Sequence, residues 1–301
     1  MIKLMMLVGV PASGKSTLAQ TLVEENDAVI VSSDGIRGEL YGNEAVQKDP
    51  AKVFRIVEER VVCHLNNGVS VVMDATNINA KRRRAFLNAV KLRVRADYVK
   101  ECHVVMCDPA VAIERDLTRD RTVGKDVILR MIKGFQPPML CEGWDDIKLY
   151  WSSDRCRLDR FIEMSLSFDQ KNPHHTLTLG EHMISAVNAL EEPSHQLETA
   201  TAYHDIGKLF CQTFDEDGIA HYYDHDSIGS YVYLCSEYAY RTNRVLGGVY
   251  ACEIAALIAW HMLPYFCKGE EGYRVVAKRK NWPDWFIENV WALHKADKEA
   301  H

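Results

Sequence analysis

Residues 9–17 read Gly9-Val10-Pro11-Ala12-Ser13-Gly14-Lys15-Ser16-Thr17, a complete Gly-x-x-x-x-Gly-Lys-Ser phosphate-binding loop. The loop follows an apolar run, Leu4-Met5-Met6-Leu7-Val8, and opens a helix-forming stretch at Ser16. Strand, glycine-rich turn and helix in that order are what the motif requires. Gly9 and Gly14 let successive backbone N–H groups turn toward a phosphate, and the following helix aims the positive end of its dipole at the same point. Lys15 is then expected at the β- and γ-phosphates of ATP or another nucleoside triphosphate, with the Ser16 hydroxyl on its Mg2+. Ser13 and Thr17 complete the expected nucleotide contacts.

Around the loop, short Val/Ile-rich runs alternate with longer amphipathic ones. Strands are expected at 3–8, 28–32, 70–74, 98–106 and 146–151, and helices at 16–26, 50–66, 80–95, 109–120 and 125–134. This alternation implies an α/β domain, a parallel sheet flanked by helices. Asn79 and Asp108-Pro109 are natural helix starts.

In such a sheet, ligands bind outside the carboxyl ends of the strands. The second strand ends at Ser32-Ser33-Asp34-Gly35-Ile36-Arg37. Asp34 is placed to take a proton from an attacking hydroxyl, and Arg37 to clamp an acceptor phosphate; a helix cap with a surface Arg would use the same letters. The third strand runs into Asp74-Ala75-Thr76-Asn77, followed by Lys81-Arg82-Arg83-Arg84, of which at most two side chains can face one ligand. Arg115 and Arg119 are four apart on one helix face, suited to close over a γ-phosphate or to pair with Asp116 and Asp120.

The 301 residues suffice for two domains. Ten of the 12 histidines fall after residue 152, and the net charge divides into +2 before that point and −8 after it. An acidic, histidine-rich half suits metal ligation better than unaided binding of a polyanion. Helices are expected there at 179–190, 195–210, 225–242, 249–262 and 283–299. His204-Asp205 lie adjacent on a helix-forming run, with Gly207-Lys208 just beyond; His182, His225, His261 and Asp297 stand on other predicted helices. Imidazole nitrogen with carboxylate oxygen suits Mn, Fe, Co, Ni or Zn. His261, beside Trp260 on an apolar helix, also reads as a core histidine. His195, His221, His294 and His301 read as surface residues.

Nine scattered cysteines without a Cys-x-x-Cys point to free thiols in a reducing cytoplasm. No secretory signal is evident, and no apolar run approaches the roughly 20 residues of a membrane span, so no membrane partner is expected.

The ordered set Gly-x-x-x-x-Gly-Lys-Ser, Ser-Asp-x-x-Arg, Asp-x-Thr-Asn with Arg-Arg following, and Arg-x-x-x-Arg resembles the kinase module of polynucleotide 5′-hydroxyl kinases, over about residues 1–150. The resemblance implies Asp34 as general base, Arg37 on the acceptor phosphate, Arg115 and Arg119 as lid arginines, and Asp74, Asn77, Arg82 and Arg83 near the acceptor. Small-molecule P-loop kinases share part of the pattern. Residues 170–301 resemble the HD-domain phosphohydrolases, an all-α fold. That likeness implies His182, His204, Asp205 and Asp297 on one divalent transition metal, His225 and His261 on a second with Asp205 bridging, Lys208 at the scissile phosphate, and His174 and His175 as substrate contacts. The expected organisation is a kinase-like domain at 1–152, a boundary segment at 153–168 and an HD domain at 169–301. The expected function is bifunctional healing of RNA or DNA termini, those of tRNA among them: ATP-dependent 5′-OH phosphorylation plus removal of a 2′,3′-cyclic, 2′- or 3′-phosphate, with a separate ligase as partner. The rivals are a small-molecule kinase fused to a nucleotidase, and a kinase with a nucleotide-sensing second half. Nothing in the sequence indicates a homo-oligomer.

Overall fold

The computed structural model describes residues 1–172 and 176–300. The expected substrate contacts His174 and His175 lie outside the described residues, as does His301. The chain divides into two compact units: Met1–Met131 with Glu142–Asp154, and Ile132–Cys141 with the chain from Arg155 onward. The segment 132–141, kept with the first half in the sequence analysis, groups with the second unit. Its Phe135 lies edge-on to Tyr231, ring centroids 5.3 Å apart.

In the first unit, β1 (Ile2–Val8), β2 (Ala28–Ser32), β3 (Ser70–Asp74), β4 (Tyr98–Met106) and β5 (Asp146–Trp151) form one parallel sheet in the order β2-β3-β1-β4-β5. The central strand is apolar on both faces: Leu4 to Val8 are all fully buried. Continuous apolar runs, rather than alternating ones, are what a sheet covered on both sides demands. The helices are α1 (Lys15–Asn26), α2 (Ser33–Tyr41), α3 (Pro50–Asn66), α4 (Ala80–Arg93), α5 (Pro109–Leu117) and α6 (Lys125–Lys133). α3 buries Val53, Val57, Val61 and Leu65, a strict four-residue spacing that lays one face on the core. Asn79 and Asp108 cap α4 and α5 as the sequence suggests. α2 was not expected. Gly35 and Gly38 depress its propensity, but the Ser32 hydroxyl accepts the Gly35 N–H at 3.3 Å and starts the helix.

A buried ion pair fastens this unit. Arg83 donates to both oxygens of Glu142, at 2.7 and 2.6 Å, and to the Asn77 carbonyl at 2.9 Å, while Trp144 Nε1 donates to the same carboxylate at 3.2 Å. Arg83 is 1% exposed and Glu142 7%. Two charges out of water hold only while each has its partner.

The second unit contains α7 (Leu158–Ser165), α8 (Leu179–Asn188), α9 (His195–Tyr203), α10 (His225–Leu234), α11 (Glu237–Trp260), α12 (Gly269–Arg279) and α13 (Asp284–Glu299). It is not purely helical: β6 (Thr213–Phe214) pairs antiparallel with β7 (Ala220–His221). The run expected as one helix at 225–242 breaks at Cys235, because the Ser236 hydroxyl accepts the Ala239 N–H at 3.1 Å and caps α11 instead. α11 is itself interrupted at Gly247 (φ 88°). The helix expected at 195–210 stops at Tyr203, and residues 206–210 tighten into a 3-10 turn. α7 and α12 had no counterpart in the sequence reading. The stretch 237–266 is long and apolar enough, by length and composition, to cross a membrane, which the sequence reading had denied; 56% of its most apolar window is buried within the protein. His294, expected at the surface, is 7% exposed, its ring edge-on to Tyr265. All nine cysteines are free thiols.

Replacing Arg83 by Met strands a buried carboxylate and should cost about 3–5 kcal/mol of stability, whereas Arg83→Met with Glu142→Leu should recover much of that loss. Urea unfolding of the three proteins measures both differences.

Candidate functional site

Parallel strands deliver their C-terminal ends to one edge, and that edge of the first unit carries a cleft of about 870 Å³. Gly9 leaves no room for a side chain: a Cβ there would sit 2.7 Å from the Val105 carbonyl oxygen and 2.8 Å from Ser13 Oγ. Gly14, at φ 87°, turns the chain into α1. Gly14, Lys15, Ser16 and Thr17 line the cleft, while Ser13 is wholly buried within the turn. Lys15 Nζ donates to the Val10 carbonyl at 2.6 Å. Burial lowers the Lys15 pKa to about 8 although Asp74 and Asp34 oppose the shift.

Asp34, Arg37, Asp74, Arg82, Arg115 and Arg119 line the same cleft. Asp34 sits in the first turn of α2, its two oxygens shared between Arg37 Nη1 at 2.6 Å and Arg121 Nη1 at 3.1 Å. Arg37 is 7% exposed and also donates to Ser33 Oγ. Ser16 Oγ donates to Asp74 Oδ2 at 3.2 Å. Burial raises the Asp74 pKa while Lys15 and the Ser16 hydrogen bond oppose it. A hydroxyl and a carboxylate so paired at the nucleotide loop are suited to a nucleotide-bound Mg2+.

Two expected acceptor contacts are occupied structurally. Arg83 is sealed in its pair with Glu142. The Asn77 amide is committed to the Leu7 carbonyl at 2.8 Å, its backbone held at φ 46°. Arg115 donates to Ser152 Oγ at 3.0 Å. Arg119 is 3.9 Å from Asp116, whose carboxylate mainly accepts the Val123 and Gly124 N–H groups at 3.0 and 2.8 Å. Thus the ion-pair alternative applies to Asp116 only weakly, and Arg119 still faces the cleft.

In the second unit the dispersed histidines meet. His182, His204, Asp205 and Asp297 offer ligand atoms all within 4.8 Å of one another, and Asp205, His225 and His261 form a second such group. His182 Nε2 lies 3.0 Å from Asp297 Oδ1 and 3.4 Å from Asp205 Oδ2. His225 and His261 reach the other Asp205 oxygen at 3.1 and 3.6 Å, their Nε2 atoms 3.3 Å apart. His261, which also reads as a core histidine, is fully buried, its Nε2 3.6 Å from Asp205.

A recurring local device aims the rings. Nδ1 of His204, His225 and His261 each meets the carbonyl three residues back, Thr201, Tyr222 and Ile258, at 2.7 Å. That bond fixes Nδ1 as the protonated nitrogen and leaves Nε2 directed inward. His204 Nε2 is buried with no hydrogen-bond partner among the described residues, 3.4 Å from Asp297 and 3.6 Å from Asp205. A nitrogen so oriented and an oxygen-rich surround fit a divalent transition ion.

Adjacency of His204 and Asp205 on a helix would put them about 100° apart. The structure resolves this by ending α9 at Tyr203 and giving Asp205 non-helical backbone angles, so both side chains turn into one site. Burial alone would lower the His182 pKa, but bonds to Asp205 and Asp297 carry it up to about 9. Burial likewise opposes ionisation of Asp205 and Asp297, yet Lys208 and His204 beside the first, and His182 and His204 beside the second, hold both well below the usual carboxylate range. Lys208 Nζ is 2.6 Å from Asp205 Oδ2 and 3.0 Å from Gln170 Oε1.

Residues 4–138 match the family model described as an AAA domain. The match covers less than half of the chain. No curated protein matches the chain. Similar solved structures include a protein from Chloroflexus aurantiacus assigned as a kinase (18% identity, 39% of this chain and 66% of that one, TM-score 0.35). They also include the Pnkp1/Rnl/Hen1 RNA repair complex (22%, 44% and 43%, 0.39) and a gluconokinase from Sinorhizobium meliloti (14%, 50% and 82%, 0.35). The chain spans under two thirds of the length of the first two. Likenesses this distant say nothing of what this chain acts on.

Two residues of these sites escaped the sequence reading. Arg121 was visible in the arginine-rich segment, but its six-residue offset from Arg115 concealed that it reaches Asp34. Tyr265 carried no signal; its hydroxyl donates to Asp297 Oδ2 at 2.8 Å and leaves Oδ1 to the histidines.

Tyr265→Phe should therefore weaken binding of Mn2+ or Co2+ by roughly tenfold, as loss of an orienting partner does, read by equilibrium dialysis. At pH 8–9, where Lys15 is part-deprotonated, a bound polyphosphate should raise its pKa and draw a proton in. Calorimetry of ADP binding in two buffers of different ionisation enthalpy should show net uptake, absent in Lys15→Met.

Proposed function

We propose that the protein is a bifunctional end-healing enzyme for RNA or DNA termini. The observation that carries the reading is the presence, in one chain, of two chemically distinct clusters: an arginine-rich cleft around Asp34, and a buried group of four imidazoles and two carboxylates. In the kinase-like domain, the loop amides and Lys15 grip the β- and γ-phosphates of ATP, with Mg2+ held on the side of Ser16 and Asp74. Asp34 takes the proton of a 5′-hydroxyl as its oxygen attacks the γ-phosphorus and the bond to the β-phosphate oxygen breaks. Arg37 anchors the acceptor's own phosphate, with Arg82 at the rim. Arg115, Arg119 and Arg121 neutralise the charge on the transferring group.

We assign the second half, from about residue 169 and beyond a boundary at 153–168, to an HD-type phosphohydrolase. His182, His204, Asp205 and Asp297 would hold one divalent cation, and Asp205, His225 and His261 a second. Such ions supply Lewis acidity and an activated water for attack on a 2′,3′-cyclic, 2′- or 3′-phosphate. Lys208, beside Asp205, would grip a phosphate oxygen; His174 and His175 remain candidate substrate contacts. A separate ligase would join the healed ends, and nine free thiols suit the cytoplasm. One observation favours a small-molecule nucleotidase or sensor instead: the second half carries −8, an unwelcoming surface for a polyanion.

Lys15→Ala should abolish transfer of label from γ-labelled ATP to a 5′-OH oligonucleotide while sparing hydrolysis of a 2′,3′-cyclic phosphate end; Asp205→Ala should do the reverse. Absence of labelling by the intact protein ends the kinase reading. Cyclic-phosphate hydrolysis that survives Asp205→Ala, or that is missing from the metal-loaded parent, ends the hydrolase reading.

A further inference from the structure

Beside the phosphate cleft, the first unit has a second cavity of about 500 Å³ that none of the assigned chemistry uses. Its volume lies within the roughly 300–1,000 Å³ of small-molecule sites. Met6 and Met73 contribute to its lining; they are direct partners in the β1–β3 register and are 0% and 1% exposed. Phe54 of α3, Phe86 of α4 and Ile78 add apolar surface. Phe54, Thr76 and Arg82 line both this cavity and the cleft, so the two adjoin.

The loop at residues 76–79, beside both spaces, is held in place. The Gly9 N–H donates to the Thr76 carbonyl at 3.0 Å, and the Asn77 amide to the Leu7 carbonyl at 2.8 Å. Arg83 holds the Asn77 carbonyl at 2.9 Å, and the Asn79 side chain accepts the Arg82 N–H at 3.0 Å. Four bonds over residues 76–79 fix a loop that would otherwise collapse into the space, so a ligand does not bear the cost of ordering it.

We propose that this cavity receives the terminal nucleobase of the phosphoryl acceptor, an inference that rests on the kinase reading above. The occupant must connect to a hydroxyl near Asp34 and present an apolar, flat face to Phe54. A polyol has no such surface; a nucleoside has. A base against Phe54 gains stacking, and the Arg82 guanidinium at the shared rim adds a cation for its π-face. Stacking of this kind tolerates all four bases, so little sequence preference is expected.

The test compares a 5′-OH oligonucleotide with the same strand bearing an abasic 5′-terminal residue, reading initial rates of label transfer from γ-labelled ATP. In the parent, the abasic strand should show a KM raised about tenfold, the size of loss typical of one stacked base, with KM for ATP unchanged. Phe54→Ala should raise KM for the intact strand to the abasic value and no longer discriminate the two; Phe54→Trp should keep the discrimination. Equal use of both strands by the parent, or discrimination that survives Phe54→Ala, overturns the subsite while leaving the kinase intact. A parent that labels no 5′-OH strand at all overturns the kinase reading, and the subsite with it.

Discussion

A carboxylate taken wholly out of water must be matched by positive or hydrogen-bonding groups, and Asp205 imposes that demand on most of the second unit. It is 3% exposed, and His182, His225, His261 and Lys208 reach it from four different elements, with His204 beside it. Leaving such a charge unpaired costs several kcal/mol. The helices bearing those side chains therefore cannot drift apart without exposing a penalty larger than most single packing contacts. The same pressure explains Tyr265 and its bond to Asp297: the second buried carboxylate also needs each oxygen addressed.

The first unit solves the opposite problem. It keeps positive groups ready for a charge that arrives from outside. Lys15 has its ammonium on the Val10 carbonyl, and Arg37 and Arg121 share Asp34. Arg119 has only a long contact to Asp116. Protein acceptors of this kind are weak substitutes for phosphate, and their exchange for a polyphosphate is what makes a cleft of this composition selective for anions. Arg83, by contrast, found a buried carboxylate of its own and has become a structural residue.

Legibility followed the range of the interactions. The phosphate loop, the five strands and the caps at Asn79 and Asp108 rest on neighbours within a few residues, so their letters sufficed. α2 was missed because Gly35 and Gly38 masked a cap made by Ser32. The break at Cys235 was missed because a serine hydroxyl three residues from its partner outcompeted an otherwise continuous helical pattern. The four histidines and two aspartates stood out by type and spacing. Their convergence depends on where α9 ends and on the inward turn at Asp205.

The sequence by itself determined a nucleotide loop, a parallel α/β first half and a histidine-rich, acidic second half, because each is written in local pattern and composition. Only the tertiary structure decided that Asp74 stands beside Ser16, that Arg121 rather than Arg83 joins the cleft, that residues 132–141 group with the second unit, and that Phe54 opens onto an apolar cavity. Those facts depend on contacts between residues tens of positions apart, and a charged or aromatic side chain takes whichever partner the packed chain brings within reach.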